Sequence, residues 1–129
     1  YGSLFNDVPA ERTCVFVAGG TGITPFLSLF TDSSFSRYTK PVLYAGFRSK
    51  EYDLYGKYLS RGREINPAFE FHLRYEDAEG MLDIGQIIGE QEKGAVYFLS
   101  GPPEMIRLFR GYLEKHGVAA EDIRTDDWE

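Results

Sequence analysis

Cysteine occurs once in these 129 residues, at Cys14. A single thiol excludes an internal disulfide and a cysteine-ligated iron–sulfur cluster. Lying in an apolar segment, it reads as a small buried hydrophobe. Histidine is nearly as scarce: His72 and His116 stand alone, with no metal-ligand partner at useful spacing, so no metal site is expected. No apolar run approaches the roughly 20 residues that span a bilayer, so no membrane contact is expected. No basic stretch opens the chain as a signal peptide would, so a cytoplasmic protein is expected. Basic residues are outnumbered, 14 Lys and Arg against 20 Asp and Glu for a net charge of −6, which argues against a nucleic-acid surface. Internal repeats and low-complexity stretches are missing too. The length suits one domain with its own core.

What is present concentrates at Val15-Phe16-Val17-Ala18-Gly19-Gly20-Thr21-Gly22-Ile23-Thr24-Pro25-Phe26. An apolar run enters a glycine cluster, and a helix-compatible stretch follows: strand, tight turn, helix. The N–H groups of a helix start are unpaired and favour a bound anion, and glycines let a diphosphate approach the backbone. The loop therefore points to a nucleotide site. Its spacing is Gly-x-Gly-x-x-Pro rather than the Gly-x-Gly-x-x-Gly/Ala of the dinucleotide fingerprint. Pro25 suits a first helical turn, where its missing N–H costs nothing. No lysine follows the glycines, which excludes a Walker-type loop. A plain strand-to-helix connection is the alternative for the loop taken alone.

Along the chain, strands are predicted at 13–18, 41–47, 69–75 (alternating, at an edge) and 95–99, with a last short segment from Ile123. Helices are predicted over 25–30, over 51–61 with Ser49 as N-cap and Leu54 and Tyr58 on its apolar face, over 83–90, and over 104–115. The last would bury Met105, Leu108, Phe109, Tyr112 and Leu113 and end at Gly117. Residues 32–36 read as a polar break, and Tyr52, Tyr55 and Tyr58 as a packing stripe on one helix. Strands alternating with helices predict an α/β fold: a doubly wound, mostly parallel five-stranded sheet flanked by helices. Ligands bind such sheets at the carboxyl ends of the strands. The Gly19–Pro25 loop and the Ser100–Pro103 turn would be neighbours there.

Four motifs carry a resemblance. They are Ala18-Gly19-Gly20-Thr21-Gly22-Ile23-Thr24-Pro25, Leu43-Tyr44-Ala45-Gly46-Phe47-Arg48, Leu99-Ser100-Gly101-Pro102-Pro103-Glu104-Met105 and Ile123-Arg124-Thr125-Asp126-Asp127-Trp128. In order and spacing they resemble the NAD(P)H-binding domain of the ferredoxin–NADP reductase family of flavoproteins. The opening Tyr1-Gly2-Ser3-Leu4-Phe5 looks like the last strand of that family's flavin domain. The resemblance therefore implies that residues 1–12 are a remnant of an upstream flavin domain and linker, and 13–129 the nucleotide domain, in a fragment of a longer reductase.

The resemblance implies the site. Gly19, Gly20, Thr21, Gly22, Ile23, Thr24 and Pro25 would form the pyrophosphate loop, with Thr21 near the nicotinamide. Ser100, Gly101 and Pro102 would lie beside the nicotinamide, with Pro103 and Met105 completing the turn. The family's usual cysteine is here Ser100, which puts a thiol role in doubt but not hydride transfer between the two cofactors. The alternative for Ser100 is a turn hydroxyl bonded to its own backbone. Trp128 stands where the family stacks an aromatic on the flavin, and Asp126 replaces the acidic residue two before it. The alternatives are a packing anchor and a solvated acidic tail. Arg48, joined by Arg74 and Tyr75, would contact the adenosine ribose or a 2′-phosphate; a surface charge is its alternative. NADH and NADPH stay unseparated, with a lean to NADH because no dense basic cluster is present.

The expected function is that of the pyridine-nucleotide half of a flavin-dependent oxidoreductase. It would hold NAD(P)H for hydride transfer to FAD, which is bound mainly by the upstream flavin domain in cis, with electrons passing on to ferredoxin, a haem or a ferric centre. Two rival readings are the soluble tail of a membrane ferric reductase or NADPH-oxidase-like protein, and a nucleotide-sensing Rossmann-like module without a flavin partner.

Overall fold

The structure, a computed structural model, describes residues 8–125. Strands β1 (Thr13–Gly19), β2 (Lys40–Phe47), β3 (Glu70–Tyr75), β4 (Val96–Ser100) and β5 (Ile123–Thr125) form one sheet in the order β3-β2-β1-β4-β5. Every pairing in it is parallel. The helices are α1 (Thr24–Phe30), α2 (Gly56–Ile65), α3 (Glu76–Glu79), α4 (Ile84–Gly89) and α5 (Pro103–Lys115). The chain winds from β1 through α1 and α2 to β3, then crosses back to β4 on the other side of β1. The strand order therefore reverses between β1 and β4.

Strand alternation sorts the core onto two faces. On one, Phe16 stacks on Phe98 with ring centroids 4.8 Å apart and meets Phe30 edge-on at 5.2 Å. Phe26, Phe35, Phe47 and Phe69 complete this fully buried aromatic set beneath α1 and α2. Such ring pairs add about 0.5–1.5 kcal/mol each beyond their buried area. On the other face, Val15, Val17, Tyr97 and Leu99 pack under Ile84 and Ile87 of α4 and Leu113 of α5. Because both faces are covered, β1, β2 and β4 are near-continuous apolar runs. In β3, Phe71, Leu73 and Tyr75 pack inward while Glu70 and His72 stay exposed, as an edge strand requires. Cys14 is fully buried, and burial pushes its thiol up to about 12, so it is an inert core residue.

Several predicted elements differ. In place of a helix over 51–61, Lys50–Tyr52 is a 3₁₀ turn, the chain extends at Asp53, and α2 begins only at Gly56. The Tyr75 hydroxyl bonds the Asp53 carboxylate there, and the Ser49 side chain caps nothing. The shift rotates the helix: Leu54 is 75% and Tyr58 49% exposed, while Leu59 and Gly62 are buried. Tyr52, Tyr55 and Tyr58 consequently share no helix. The polar break is a 3₁₀ turn, Ser33–Arg37, whose first N–H groups are met by Asp32, which accepts from Ser34 N at 2.9 Å. In α5, Ile106, Phe109, Tyr112 and Leu113 reach the core, whereas Leu108 is 54% exposed.

Two polar ties fasten the ends of elements. Buried Asn66 donates through Nδ2 to the carbonyls of Phe35 (2.9 Å) and Tyr38 (2.8 Å) and accepts from Ala68 N at 3.0 Å. Arg12 forks onto Asp122 at 3.0 and 2.9 Å and donates to the Gly94 carbonyl at 2.9 Å. Val8 and Ala10 also pack on the core, so the described part of the leading segment lies against this domain.

Candidate functional site

The glycine loop and the 100–103 turn meet at the carboxyl ends of β1 and β4, where Ala18 registers against Ser100. Gly20–Ile23 forms one 3₁₀ turn that runs directly into α1. A Cβ on Gly22 would stand 2.6 Å from the Ser100 carbonyl carbon and 2.7 Å from Gly101 Cα. Gly22 is thus a glycine because the two loops touch backbone to backbone. At Gly20, by contrast, φ is +56° and nothing lies within 4 Å of a Cβ position. That glycine provides the left-handed turn and leaves its backbone open to a ligand. Met105 fills the space that side chains on Gly19 and Gly101 would occupy, its Sδ 2.7 Å from one Cβ position and its Cε 2.8 Å from the other.

Around this junction opens a cleft of about 660 Å³, within the size range of small-molecule sites. Of the predicted residues, Gly19, Gly20, Thr21, Gly22 and Thr24 line it from the first loop and Ser100, Gly101, Pro102 and Met105 from the second. Arg48 lines it from the end of β2. Ser100 is 1% exposed, and its Oγ has no hydrogen-bond partner. The alternative of a turn hydroxyl bonded to its own backbone therefore fails. A buried hydroxyl without a partner is costly by about 1–3 kcal/mol, and this one lies beneath the cleft surface.

Five predicted residues lie elsewhere. The Ile23 side chain is fully buried in the core, leaving only its backbone to the loop. Pro25 and Pro103 occupy the first turns of α1 and α5, where they start the helices. Arg74 lines a separate pocket of about 190 Å³ between β3 and α4 with Tyr44, His72, Asp83 and Glu90. Register explains this: Arg74 pairs with Gly46, and Leu82 fills the space above Gly46. Tyr75 packs on the opposite face against Phe47 and bonds Asp53, so it does not join Arg48 either. Asp126 and Trp128 lie outside the described residues.

Three cleft residues were not anticipated: Gly46, Glu76 and Met81. Gly46 stood inside a quoted motif, but the other two follow a strand in an acidic stretch that reads as solvated surface. Only the pairing of β2 with β3 brings them to Arg48. The Asp77 N–H donates to the Arg48 carbonyl at 3.1 Å and pins the two loops together. An apolar groove continues the cleft past Met81, Leu82, Met105, Leu108 and Phe109, which explains why Leu108 faces outward. Among the described residues no cluster of three or more His, Cys, Asp or Glu could hold a metal. His72 stacks on Tyr44 at 4.8 Å and His116 on Tyr112 at 4.0 Å. No helix among the described residues is long and apolar enough to cross a membrane.

Known proteins share this arrangement. Residues 16–111 match the family described as the oxidoreductase NAD-binding domain. The carnitine monooxygenase reductase subunit of Acinetobacter baumannii is 32% identical over 127 residues, covering 98% of this chain and 38% of that protein. The chain thus spans about two fifths of the length of that protein. Flavohemoglobin from Malassezia yamatoensis, solved with bound FAD and heme, superposes with a TM-score of 0.78 at 21% identity over 93% of this chain and 32% of that one. Ferredoxin-NADP+ reductase from Plasmodium falciparum superposes with a TM-score of 0.67 at 17% identity, over 94% of this chain and 55% of that one. With the family match spanning both cleft loops and the sheet order of a doubly wound nucleotide fold beneath them, the chain belongs to the oxidoreductase NAD-binding domain family.

Proposed function

We propose that this chain positions NAD(P)H against a flavin held by a preceding domain of the same polypeptide. The observation that carries the reading is the junction of the glycine loop with the Ser100 turn at the β1–β4 switch point, where both loops line one cleft. The open backbone at Gly20 suits a diphosphate, and the Ser100–Pro102 turn beside it suits a nicotinamide ring. Bound together, the two cofactors supply the chemistry: a hydride passes from nicotinamide C4 to flavin N5.

The chain's own residues bind and orient. Gly20, Thr21 and Thr24 take the diphosphate side, and Gly101, Pro102 and Met105 form a water-poor wall beside Ser100. Arg48 holds the adenosine end, while Ile23, Pro25 and Pro103 support the loops from below. Asp126 and Trp128 act at the flavin side. Residues 1–12 lead from the flavin domain, and 13–129 are the nucleotide domain. The relatives' names, a monooxygenase reductase subunit and a flavohemoprotein, favour an oxygenase component or a haem as electron acceptor. We place the protein in the cytoplasm, in keeping with its lone, buried, reduced cysteine.

The test uses the full-length protein that carries this chain. Under anaerobic conditions NADH or NADPH should bleach its flavin absorbance. Ser100→Ala should slow bleaching about tenfold, the order of one lost hydrogen bond. A flavin that neither nucleotide reduces would overturn the reading.

A further inference from the structure

Sulfur occurs in this chain only at Cys14, Met81 and Met105. Cys14 is sealed in the core, where burial keeps its thiol protonated. Both thioethers, by contrast, line the cleft and the apolar groove that continues it. Met81 stands in the segment after α3 and is 70% exposed. Met105 stands in the first turn of α5, half-buried where the two cleft loops meet. Its Sδ is 2.7 Å from the position a Cβ on Gly19 would take, and Pro102 Cδ is 3.2 Å from the same point. Its Cε is 2.8 Å from the corresponding position on Gly101. The thioether is thus wedged between the loops, and a further atom on its sulfur cannot lie on the glycine side, where even a Cβ does not fit.

We propose that Met105 is a modification site, at which hydrogen peroxide converts the thioether to a sulfoxide and so lowers the affinity for nicotinamide nucleotide; this rests on the nucleotide reading of the cleft given above. The sulfur attacks one peroxide oxygen, the O–O bond breaks, and the other oxygen leaves as water. Methionine is oxidised by two electrons and the peroxide is reduced by two. Dioxygen that takes two electrons and two protons from a reduced cofactor becomes that peroxide, so the oxidant arises where electrons are handled. Sulfoxidation turns a flexible apolar side chain into a polar one. With the glycine side closed, the new oxygen points into the cleft or forces the loops apart. The first puts a dipole in the apolar wall against which the nucleotide lies. The second undoes the backbone contact of Gly22 with Ser100 and Gly101. Met81, largely in solvent, exchanges a hydrated thioether for a hydrated sulfoxide and loses little.

The test treats the full-length protein, its flavin oxidised, with hydrogen peroxide and removes the excess with catalase. NAD+ or NADP+, whichever the untreated protein binds more tightly, is then titrated by calorimetry. Affinity should fall about tenfold, the scale of one polar group set in an apolar contact without a partner. Peptide mass mapping should find one added oxygen on Met105, and less of it when the nucleotide is present during treatment. Met81→Leu should lose affinity on treatment as the wild type does. Met105→Leu, compared with its own untreated affinity, should lose none. The treated wild type should still melt cooperatively, so that the loss belongs to the site and not to unfolding. The proposal is overturned if peroxide leaves Met105 unmodified, if affinity survives its oxidation, or if the treated protein no longer melts cooperatively. It is equally overturned if Met105→Leu loses affinity like the wild type or Met81→Leu loses none. Failure of the untreated wild type to bind either nucleotide overturns the nucleotide site itself.

Discussion

At the scale of single residues, the glycines of one loop do unlike work. Gly20 needs its left-handed backbone and little else, since nothing lies within 4 Å of its Cβ position. Gly22 needs the absence of a side chain, because the Ser100–Gly101 backbone fills the space. Gly20→Ala should therefore cost about 1 kcal/mol of strain. Gly22→Ala should cost about 3 kcal/mol by overpacking and should also weaken NAD+ binding at least tenfold by separating the two cleft loops. Melting temperatures and calorimetry distinguish the two; equal and small effects would show that the loops are not in contact. The sequence motif makes both positions glycine and gives no sign of this division.

At the scale of elements, β1, β2 and β4 were legible because each is an apolar run between polar breaks that the sheet buries on both faces, and β3 because its apolar and polar residues alternate. The helix expected over 51–61 was not. Its start is decided by a bond from Tyr75, 22 residues away along the chain, to Asp53, and its buried face by the close approach of Gly62 to α1. The end of α2 depends on Asn66, whose side chain serves the 3₁₀ turn at Ser33–Arg37 and the residues after it. Asn66→Ala leaves two carbonyls and one N–H without their partner. At about 1–3 kcal/mol per unsatisfied buried group, a loss near 3 kcal/mol is expected. A domain of this size should then melt about 10 °C lower; a variant melting with the wild type would show that water replaces those bonds.

At the scale of the whole molecule, several acids are held protonated by the fold. Burial pushes the Cys14 thiol from 9.0 to about 12, and the bond to Asp53 raises the Tyr75 phenol from 10.0 to about 12. Tyr44, raised by burial and by Glu90, and Tyr97, raised by burial, shift the same way. A raised folded value means that the unfolded chain gives up its protons first. These groups leave stability level from neutral pH to about pH 9 and make it fall as pH rises toward 12. Urea midpoints taken from pH 7 to 11 should trace that fall, and Tyr75→Phe should flatten part of it. A midpoint that stays constant to pH 11 would refute the linkage. The α/β class, the parallel sheet and the meeting of the two Gly/Pro loops follow from local patterns and chain connectivity. The sequence by itself therefore determined the fold and the family. Tertiary structure alone decided what surrounds the cleft. It sent Arg74 to another pocket through the β2–β3 register, left Ser100 Oγ without a partner, and set Glu76 opposite Arg48. Those outcomes depend on which strands pair and which faces the helices cover, interactions between residues far apart in the chain that no local pattern encodes.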